Sequence, residues 1–156
     1  MEVENILCDD EILKFVKLKV HATDDDYNKA KEEIFVNIKN TKDKQSMGYA
    51  RFKTDKILKS LVGRSSSALE LKEQLKNEVN TLNPHDFYEK HAQALDEICS
   101  TQDYDKALRH YNNKGMISFV GDKILKDYKN RVISFIRESE ELQQKIIDKY
   151  FLDIPK

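Results

Sequence analysis

One stretch organises the chain, and it reads Asp103-Tyr104-Asp105-Lys106-Ala107-Leu108-Arg109-His110-Tyr111-Asn112-Asn113-Lys114-Gly115-Met116-Ile117-Ser118-Phe119-Val120. Asp103 is predicted to begin a short polar helix, and Gly115 is predicted to end it. The residues from Met116 to Leu125 are apolar enough to be buried. They form either a short helix or, over Ile117 to Val120, a strand. We expect the more polar helices of the chain to pack on this run.

Capping residues predict where the other helices begin. Short polar side chains accept hydrogen bonds from the free N–H groups of a first helical turn, and proline is favoured at the first helical position. On these grounds we expect helices from Asp9 or Asp10 to about Lys19, from Thr23, after Ser65 to Ser67, and from Asn83 to about Cys99. Apolar residues predict further helices over Tyr49 to Val62 and from Asp127 to about Glu138, with a bend or restart at Glu138 or Ser139 and a closing apolar set at Leu142, Ile146, Ile147, Tyr150 and Phe151.

Three further segments carry specific expectations. The polar residues from Lys39 to Ser46 form either a loop or a solvent-crossing helix, and Ser46 with Gly48 favours a break. Gly63 is predicted to end the preceding helix in a left-handed conformation. Residues 1–7 are short and, if extended, place Glu2 and Glu4 on one face.

Composition favours helices over sheets. The 156 residues include only four glycines and two prolines, which are too few for many tight hairpins. A charged content of 35% suits long exposed helices or a piece of something larger. We expect an all-α, irregular multi-helix domain of six to eight helices over residues 1–156, with one short strand pairing as the alternative. The expected core residues are Ile12, Val16, Ile34, Phe35, Leu58, Leu61, Leu71, Leu75, Leu95, Ile98, Leu108, Phe119, Val132, Phe135, Ile136, Ile146 and Phe151.

Charge and cysteine content argue against several classes of protein. The net charge of -1 gives no general attraction to nucleic acid or to membranes. Cys8 and Cys99 suit a reduced intracellular protein with two buried thiols better than a disulfide scaffold. No stretch approaches the roughly 20 apolar residues of a membrane span, and the first residues lack the basic start of a signal peptide. We therefore expect a cytoplasmic location and no membrane partner.

Two acidic residues and one lysine are candidates for catalytic chemistry. Glu2 and Glu4, on one side of an extended segment, can hold a cation such as Mg²⁺ if further oxygens are supplied. The alternative, which the residue types alone favour, is that both are solvated at a frayed terminus. Lys114 either balances a helix dipole or reaches a phosphate or a carboxylate cluster. The four histidines lack the close ligand spacing of a zinc site.

Five basic residues are candidates for nucleic-acid binding. They are Arg51, Lys53, Lys56 and Lys59, with Arg64 just beyond. Such a group can follow a phosphate backbone and would form a local basic face for DNA. The alternative is a solvated helix surface, because Lys and Glu alternate throughout the chain.

Two short motifs resemble one family. Glu2-Val3-Glu4-Asn5-Ile6-Leu7 resembles an E-[IV]-E-N-[YL]-[LF] segment of Toprim-containing proteins, and Tyr111-Asn112-Asn113-Lys114-Gly115-Met116-Ile117 resembles their later N-x-K-[GD]-[LM]-[LI] segment. The family includes the overcoming-lysogenization-defect nucleases and related Toprim proteins of phage-defence operons. The matched segments cover 13 of the 156 residues, and a helical region lies between them in the family as well.

The resemblance implies the helical C-terminal part of a larger metal-dependent nuclease. Toprim cores bind Mg²⁺ or Mn²⁺ with a glutamate and a later Asp-x-Asp at strand ends. Glu2 and Glu4 would join the acidic cluster of the second metal, and Lys114 would contact the scissile phosphate or stabilise developing charge. This chain has no upstream glutamate strand and no Asp-x-Asp at a strand end. We therefore expect no cleavage by this chain alone, and metal binding only where the missing Toprim core is present.

A second interpretation comes from a different class of protein. The chain is then a small helical interaction or regulatory protein that performs no chemistry and binds a partner protein through an apolar helix face.

Overall fold

Side-chain caps begin helices where the sequence predicts them. The carboxylate of Asp9 accepts a hydrogen bond of 2.9 Å from the backbone N–H of Glu11. Thr23 and Asp26 cap each other: the Thr23 hydroxyl accepts from the Asp26 N–H at 3.1 Å, and the Asp26 carboxylate accepts from the Thr23 N–H at 3.2 Å. These bonds satisfy donors that a first helical turn leaves free.

A computed structural model of the chain describes residues 3–62, 64–111 and 115–151, with the backbone alone for residues 3 and 4. These residues form an all-α fold, as expected, without a strand among them. The elements are α1 (Val3–Leu7), α2 (Asp10–Val20), α3 (Asp24–Val62), α4 (Ala68–Thr81), α5 (Pro84–Thr101), α6 (Tyr104–His110), a π-helix (Ile117–Gly121), α7 (Asp122–Ile124), α8 (Tyr128–Glu138) and α9 (Glu140–Tyr150). No helix within these ranges is both long enough and apolar enough to cross a lipid bilayer.

The predicted break near Gly48 is wrong, because α3 continues through it. Ser46 is buried, and its hydroxyl lies 3.1 Å from Nδ1 of His91. The ammonium of Lys42 pairs with the carboxylate of Asp96 at 3.0 Å. The polar segment is therefore held against α5. A glycine inside a helix costs only about 1 kcal/mol, which contacts of this kind offset.

Two other local predictions fail and one lies outside the described residues. Residues 3–7 are helical rather than extended, so a spacing of two no longer places side chains on one face. Helix α6 ends at His110, with Tyr111 as its cap, before the predicted stop at Gly115. The predicted end at Gly63 falls on a residue that the structure does not describe.

The apolar run after Gly115 contains a π-helix rather than a strand. The N–H of Asp122 donates to the carbonyls of Ile117 and Val120, and this widened turn leads directly into α7. Gly121 explains the close packing, because a Cβ atom there would overlap ring atoms of the buried Tyr128. Ile117, Val120 and Gly121 of this widened helix are buried, whereas Ser118 is exposed.

The described residues form two compact units. The terminal unit consists of Met1–Asn40 and Ile98–Lys156, and the central unit consists of Thr41–Glu97. The terminal unit has a dense core in which Ile12, Val16, Ile34, Leu108 and Val132 are all buried. Helices α1, α2, α6 and α8 pack together there with the π-helix and α7.

Two buried tyrosine side chains form hydrogen bonds with the start of the chain in the terminal unit. The phenol of Tyr104 donates to the carbonyl of Cys8 at 2.8 Å, and that of Tyr128 donates to the carbonyl of Leu7 at 2.6 Å. These carbonyls lie at the end of α1, where a helix leaves its acceptors free. Burial raises the pKa of the Cys8 thiol to about 12. Cys8 and Cys99 are both buried thiols rather than members of a disulfide, as the composition predicts.

The central unit has a much thinner core. Among its described residues the buried side chains are Ser46, Ala50, Ala92 and Leu95, so Leu95 alone is both large and apolar. Helix α4 buries none of its residues. This composition of the core predicts that the central unit is the less stable part of the molecule.

The predicted core is confirmed mainly in the terminal unit. Its buried members are Ile12, Val16, Ile34, Phe35, Leu95, Ile98, Leu108 and Val132. The members that are only half-buried are Leu58, Leu61, Leu71, Leu75, Phe119, Phe135, Ile136 and Ile146. Phe151 is wrong as a core residue, because it is 49% exposed just beyond α9.

Candidate functional site

The central unit contains an apolar cavity of about 590 Å³, which we call the α3–α5 cavity. This volume lies within the range of sites that hold ligands or partner side chains. Most of the wall belongs to α3, and the rest belongs to the first turns of α5. The lining residues are Met47, Ala50, Arg51, Thr54, Asp55, Leu58, Pro84, His85 and Tyr88.

Helical spacing explains how α3 builds one wall. Met47, Ala50, Thr54 and Leu58 lie three or four residues apart, which places them within about 80° of one another around the helix. From Met47 to Leu58 the helix rises about 16 Å. Met47 remains 46% exposed and Leu58 half-buried although both are apolar. The wall is therefore an apolar stripe three turns long that the chain itself covers only in part.

Three polar side chains interrupt this wall. Arg51 and Asp55 are one turn apart on α3, yet no ion pair joins them in the part of the chain that the structure describes; the carboxylate of Asp55 pairs instead with Lys59 at 2.7 Å. Thr54 places its hydroxyl oxygen in a buried position where no described residue offers a hydrogen bond. A mainly apolar cavity with a few polar groups is typical of a recognition site.

A polar cluster holds the two walls of the cavity together. The ring of His91 stacks on Tyr49 with centroids 4.5 Å apart. The phenol of Tyr88 donates to the carboxylate of Asp43 at 2.9 Å, and this hydrogen bond raises the pKa of Tyr88. The bond fixes the Tyr88 ring as a wall of the cavity. His85 lies beside that ring, with centroids 6.3 Å apart.

The five basic residues predicted for nucleic-acid binding do not share one face. Arg51 lines the cavity, whereas Lys53 lies over the ring of Tyr49 at 5.4 Å, about 160° away around α3. Lys59 is paired with Asp55, and Lys56 is exposed. Arg64 is exposed beyond the end of α3. The structure therefore brings Arg51 alone of the five to the cavity.

The predicted metal and catalytic residues lie outside the described side chains. Glu2 and Lys114 are not described, and Glu4 is described by its backbone alone. The described residues contain no group of three or more His, Cys, Asp or Glu side chains able to hold a metal ion. The segment that precedes Lys114 does meet the segment around Asn5, because the Asn5 amide donates to the carbonyls of Leu108 and Tyr111 at 2.7 and 2.8 Å.

The sequence interpretation missed most of the cavity. Met47, Thr54, His85 and Tyr88 are not among the site residues that the sequence predicts. The spacing of Met47, Ala50, Thr54 and Leu58 would have indicated a stripe if α3 had been taken as continuous. The expected break at Gly48 separated Met47 from the others.

Comparison with known proteins identifies no relative: no protein-family model, no curated protein and no solved structure matches the chain.

Proposed function

We propose that this protein is a helical interaction module that performs no chemistry of its own and binds a partner polypeptide in the α3–α5 cavity. The observation that carries the proposal is the cavity itself, about 590 Å³ with an apolar stripe on α3 that stays partly uncovered. Met47 is 46% exposed on this stripe, and burying that remaining surface against a partner contributes about 1 kcal/mol. We also propose a cytoplasmic location, which the two buried thiols, Cys8 and Cys99, support.

The thin core of the central unit supports this proposal. Leu95 is the one large apolar side chain that is buried among its described residues, while Phe52, Val62, Leu69 and Val79 are at least 60% exposed. Among the exposed large apolar side chains of its described residues, Met47 is the one that lines the cavity. A partner that covers the cavity would supply core contacts that the central unit lacks, and binding would stabilise it by mass action.

A displayed library of random 16-residue peptides, selected against the folded chain, tests the proposal. We expect recovered peptides to bind the wild-type chain and to bind Thr54→Tyr at least about tenfold more weakly, because the ring fills the cavity. Lys56→Tyr is the matched control, since Lys56 is exposed on the far side of α3. Met47→Glu is a second cavity variant at a position that solvent already reaches.

Either of two results would reject the interaction module. One is that no peptide binds the wild-type chain. The other is that the recovered peptides bind Thr54→Tyr and Met47→Glu as well as they bind the wild type, which would place their site elsewhere. Circular dichroism of each variant shows whether its helices are retained.

A second candidate function is the helical C-terminal part of a Toprim nuclease of the phage-defence type. What favours it is that the two segments carrying the resemblance meet through the Asn5 side chain, which donates to Leu108 and Tyr111. The roles of Glu2, Glu4 and Lys114, and the need for Mg²⁺ or Mn²⁺, belong to this proposal.

The mass of the endogenous polypeptide is the first test of the nuclease proposal. A mass well above 18.3 kDa allows the longer protein to be assayed for Mg²⁺-dependent DNA cleavage. Glu4→Gln should then abolish cleavage, while Glu32→Gln, at an exposed position on α3, should not. Full activity in Glu4→Gln would exclude the assigned metal role.

A further inference from the structure

Two cations without an ion-pair partner in the described ranges flank one side of the apolar stripe on α3. The part of α3 in the central unit carries six basic residues, Lys42, Lys44, Arg51, Lys53, Lys56 and Lys59, against two acidic residues, Asp43 and Asp55. Lys42 and Lys59 are neutralised by Asp96 and Asp55. Lys44 and Arg51 have no ion-pair partner among the described residues.

These two cations lie on the same side of the stripe. Lys44 and Arg51 are seven residues apart, which is two helical turns, and their side chains leave α3 within about 20° of each other. Both positions are exposed, and Arg51 also lines the cavity. An occupant that lies along the stripe from Met47 to Leu58 passes Arg51, and one that extends about one turn beyond Met47 also reaches Lys44.

From this placement we propose that the occupant is an acidic amphipathic helix. Its apolar side chains would enter the cavity at a spacing of three or four residues, and carboxylates along one flank would face Arg51 and Lys44. This inference rests on the proposed function and specifies the partner of the same cavity. The stripe is about 16 Å long. A helix with apolar side chains at positions i, i+4 and i+7 and one further turn has the same length.

Arg51 is the residue that gives the partner its charge preference. Arg51 is exposed beside the apolar wall, so a carboxylate of the occupant can reach its guanidinium and form two parallel hydrogen bonds. Asp55, the neighbouring carboxylate on the cavity wall, is already held by Lys59. An occupant with a basic flank would meet Arg51 with like charge and would be rejected.

Three synthetic helical peptides test the charge preference. Each has 16 residues and the same leucine stripe, and the flank carries Glu, Gln or Lys. Fluorescence anisotropy should show the Glu peptide binding about tenfold more tightly than the Gln peptide, with the Lys peptide weakest. This advantage should disappear in Arg51→Gln and persist in Lys56→Gln, whose side chain is exposed about 140° away around α3. Added salt should reduce it.

The outcomes separate this inference from the proposed function. If all three peptides bind the wild type equally and binding is lost in Thr54→Tyr, the proposal of an acidic partner is overturned. The proposal that the cavity binds a partner then still holds. Failure of all three peptides while library peptides bind would also overturn the acidic helix alone. A 16-base-pair DNA duplex that displaces the Glu peptide from the wild type, and does so less well from Arg51→Gln, would show that the site prefers nucleic acid. Failure of every peptide, including the library, would overturn both.

Discussion

The side-chain amide of Asn5 donates a hydrogen bond of 2.8 Å to the backbone carbonyl of Tyr111, a residue 106 positions later in the chain. The same amide donates to the carbonyl of Leu108 at 2.7 Å. Asn5 is buried, so the two bonds satisfy carbonyls at the end of α6 that water does not reach. The Asn5 side chain thereby links the start of the chain to the end of α6 by hydrogen bonds.

Asn5→Asp should therefore destabilise the protein strongly. The substitution removes both donors and places a buried carboxylate against two carbonyl oxygens, which we expect to cost about 3 kcal/mol. Urea unfolding followed by circular dichroism measures the loss. Asn28→Asp is the control, because Asn28 is exposed on α3 and the same change there should alter the unfolding free energy by less than about 0.5 kcal/mol. Equal effects of the two variants would contradict the role assigned to Asn5.

Two glycine substitutions should act in opposite directions. Gly121→Ala would place a methyl group on the ring of Tyr128, which is fully buried and cannot move away, and we expect a loss of about 2–3 kcal/mol. Gly48→Ala meets no atom within 4 Å in the middle of α3 and should stabilise the protein by about 0.5–1 kcal/mol. Thermal unfolding of both variants checks the pair. A destabilised Gly48→Ala would contradict the continuous α3.

The Asp10 carboxylate should contribute stability that disappears in acid. Burial acts to raise its pKa, but hydrogen bonds from Lys14, Lys31 and Tyr27 outweigh burial and lower the pKa to about 2. A folded-state pKa below the unfolded value of 3.8 means that the ionised form favours folding. The contribution, about 2 kcal/mol, is complete above pH 3.8 and is lost as the pH falls through about 2.

Asp10→Asn measures this contribution directly. The variant should be less stable than the wild type at pH 7 by about 1–2 kcal/mol, and the difference should shrink toward pH 2. Asp25→Asn provides the comparison, since Asp25 forms only an exposed ion pair with Lys29 on α3 and should cost less than about 0.5 kcal/mol. A difference for Asp10→Asn that stays constant from pH 7 to pH 2 would exclude the electrostatic explanation.

Local rules of helix formation predict much of this fold. The caps at Asp9, Thr23, Ser67 and Asp103 lie where short polar residues precede an apolar pattern, and each begins a helix in the structure. The helical spacing of apolar residues also identifies buried residues of the terminal unit, because the apolar faces of its helices pack into a dense core.

The same rules fail where contacts between residues far apart in the sequence determine the local structure. Ser46 and Gly48 favour a break by their own propensities, but contact of Ser46 with His91 keeps α3 continuous. Gly121, the last residue of the π-helix, packs so closely on Tyr128 that a Cβ atom would overlap the ring, and no spacing in the sequence shows this contact. The α3–α5 cavity was missed for the same reason, because it exists only when Met47 and Leu58 belong to one helix that faces α5.

Amide hydrogen exchange with and without a cavity-binding peptide tests most directly whether the α3–α5 cavity is a partner-binding site. In the free protein, amides of the central unit should exchange at least about tenfold faster than those of the terminal unit, because few side chains are buried there. The peptide should then slow exchange from Met47 to Leu58 and at the start of α5, and leave the terminal unit unchanged. Protection confined to the terminal unit, or none anywhere, would contradict the assignment of the α3–α5 cavity as the partner-binding site.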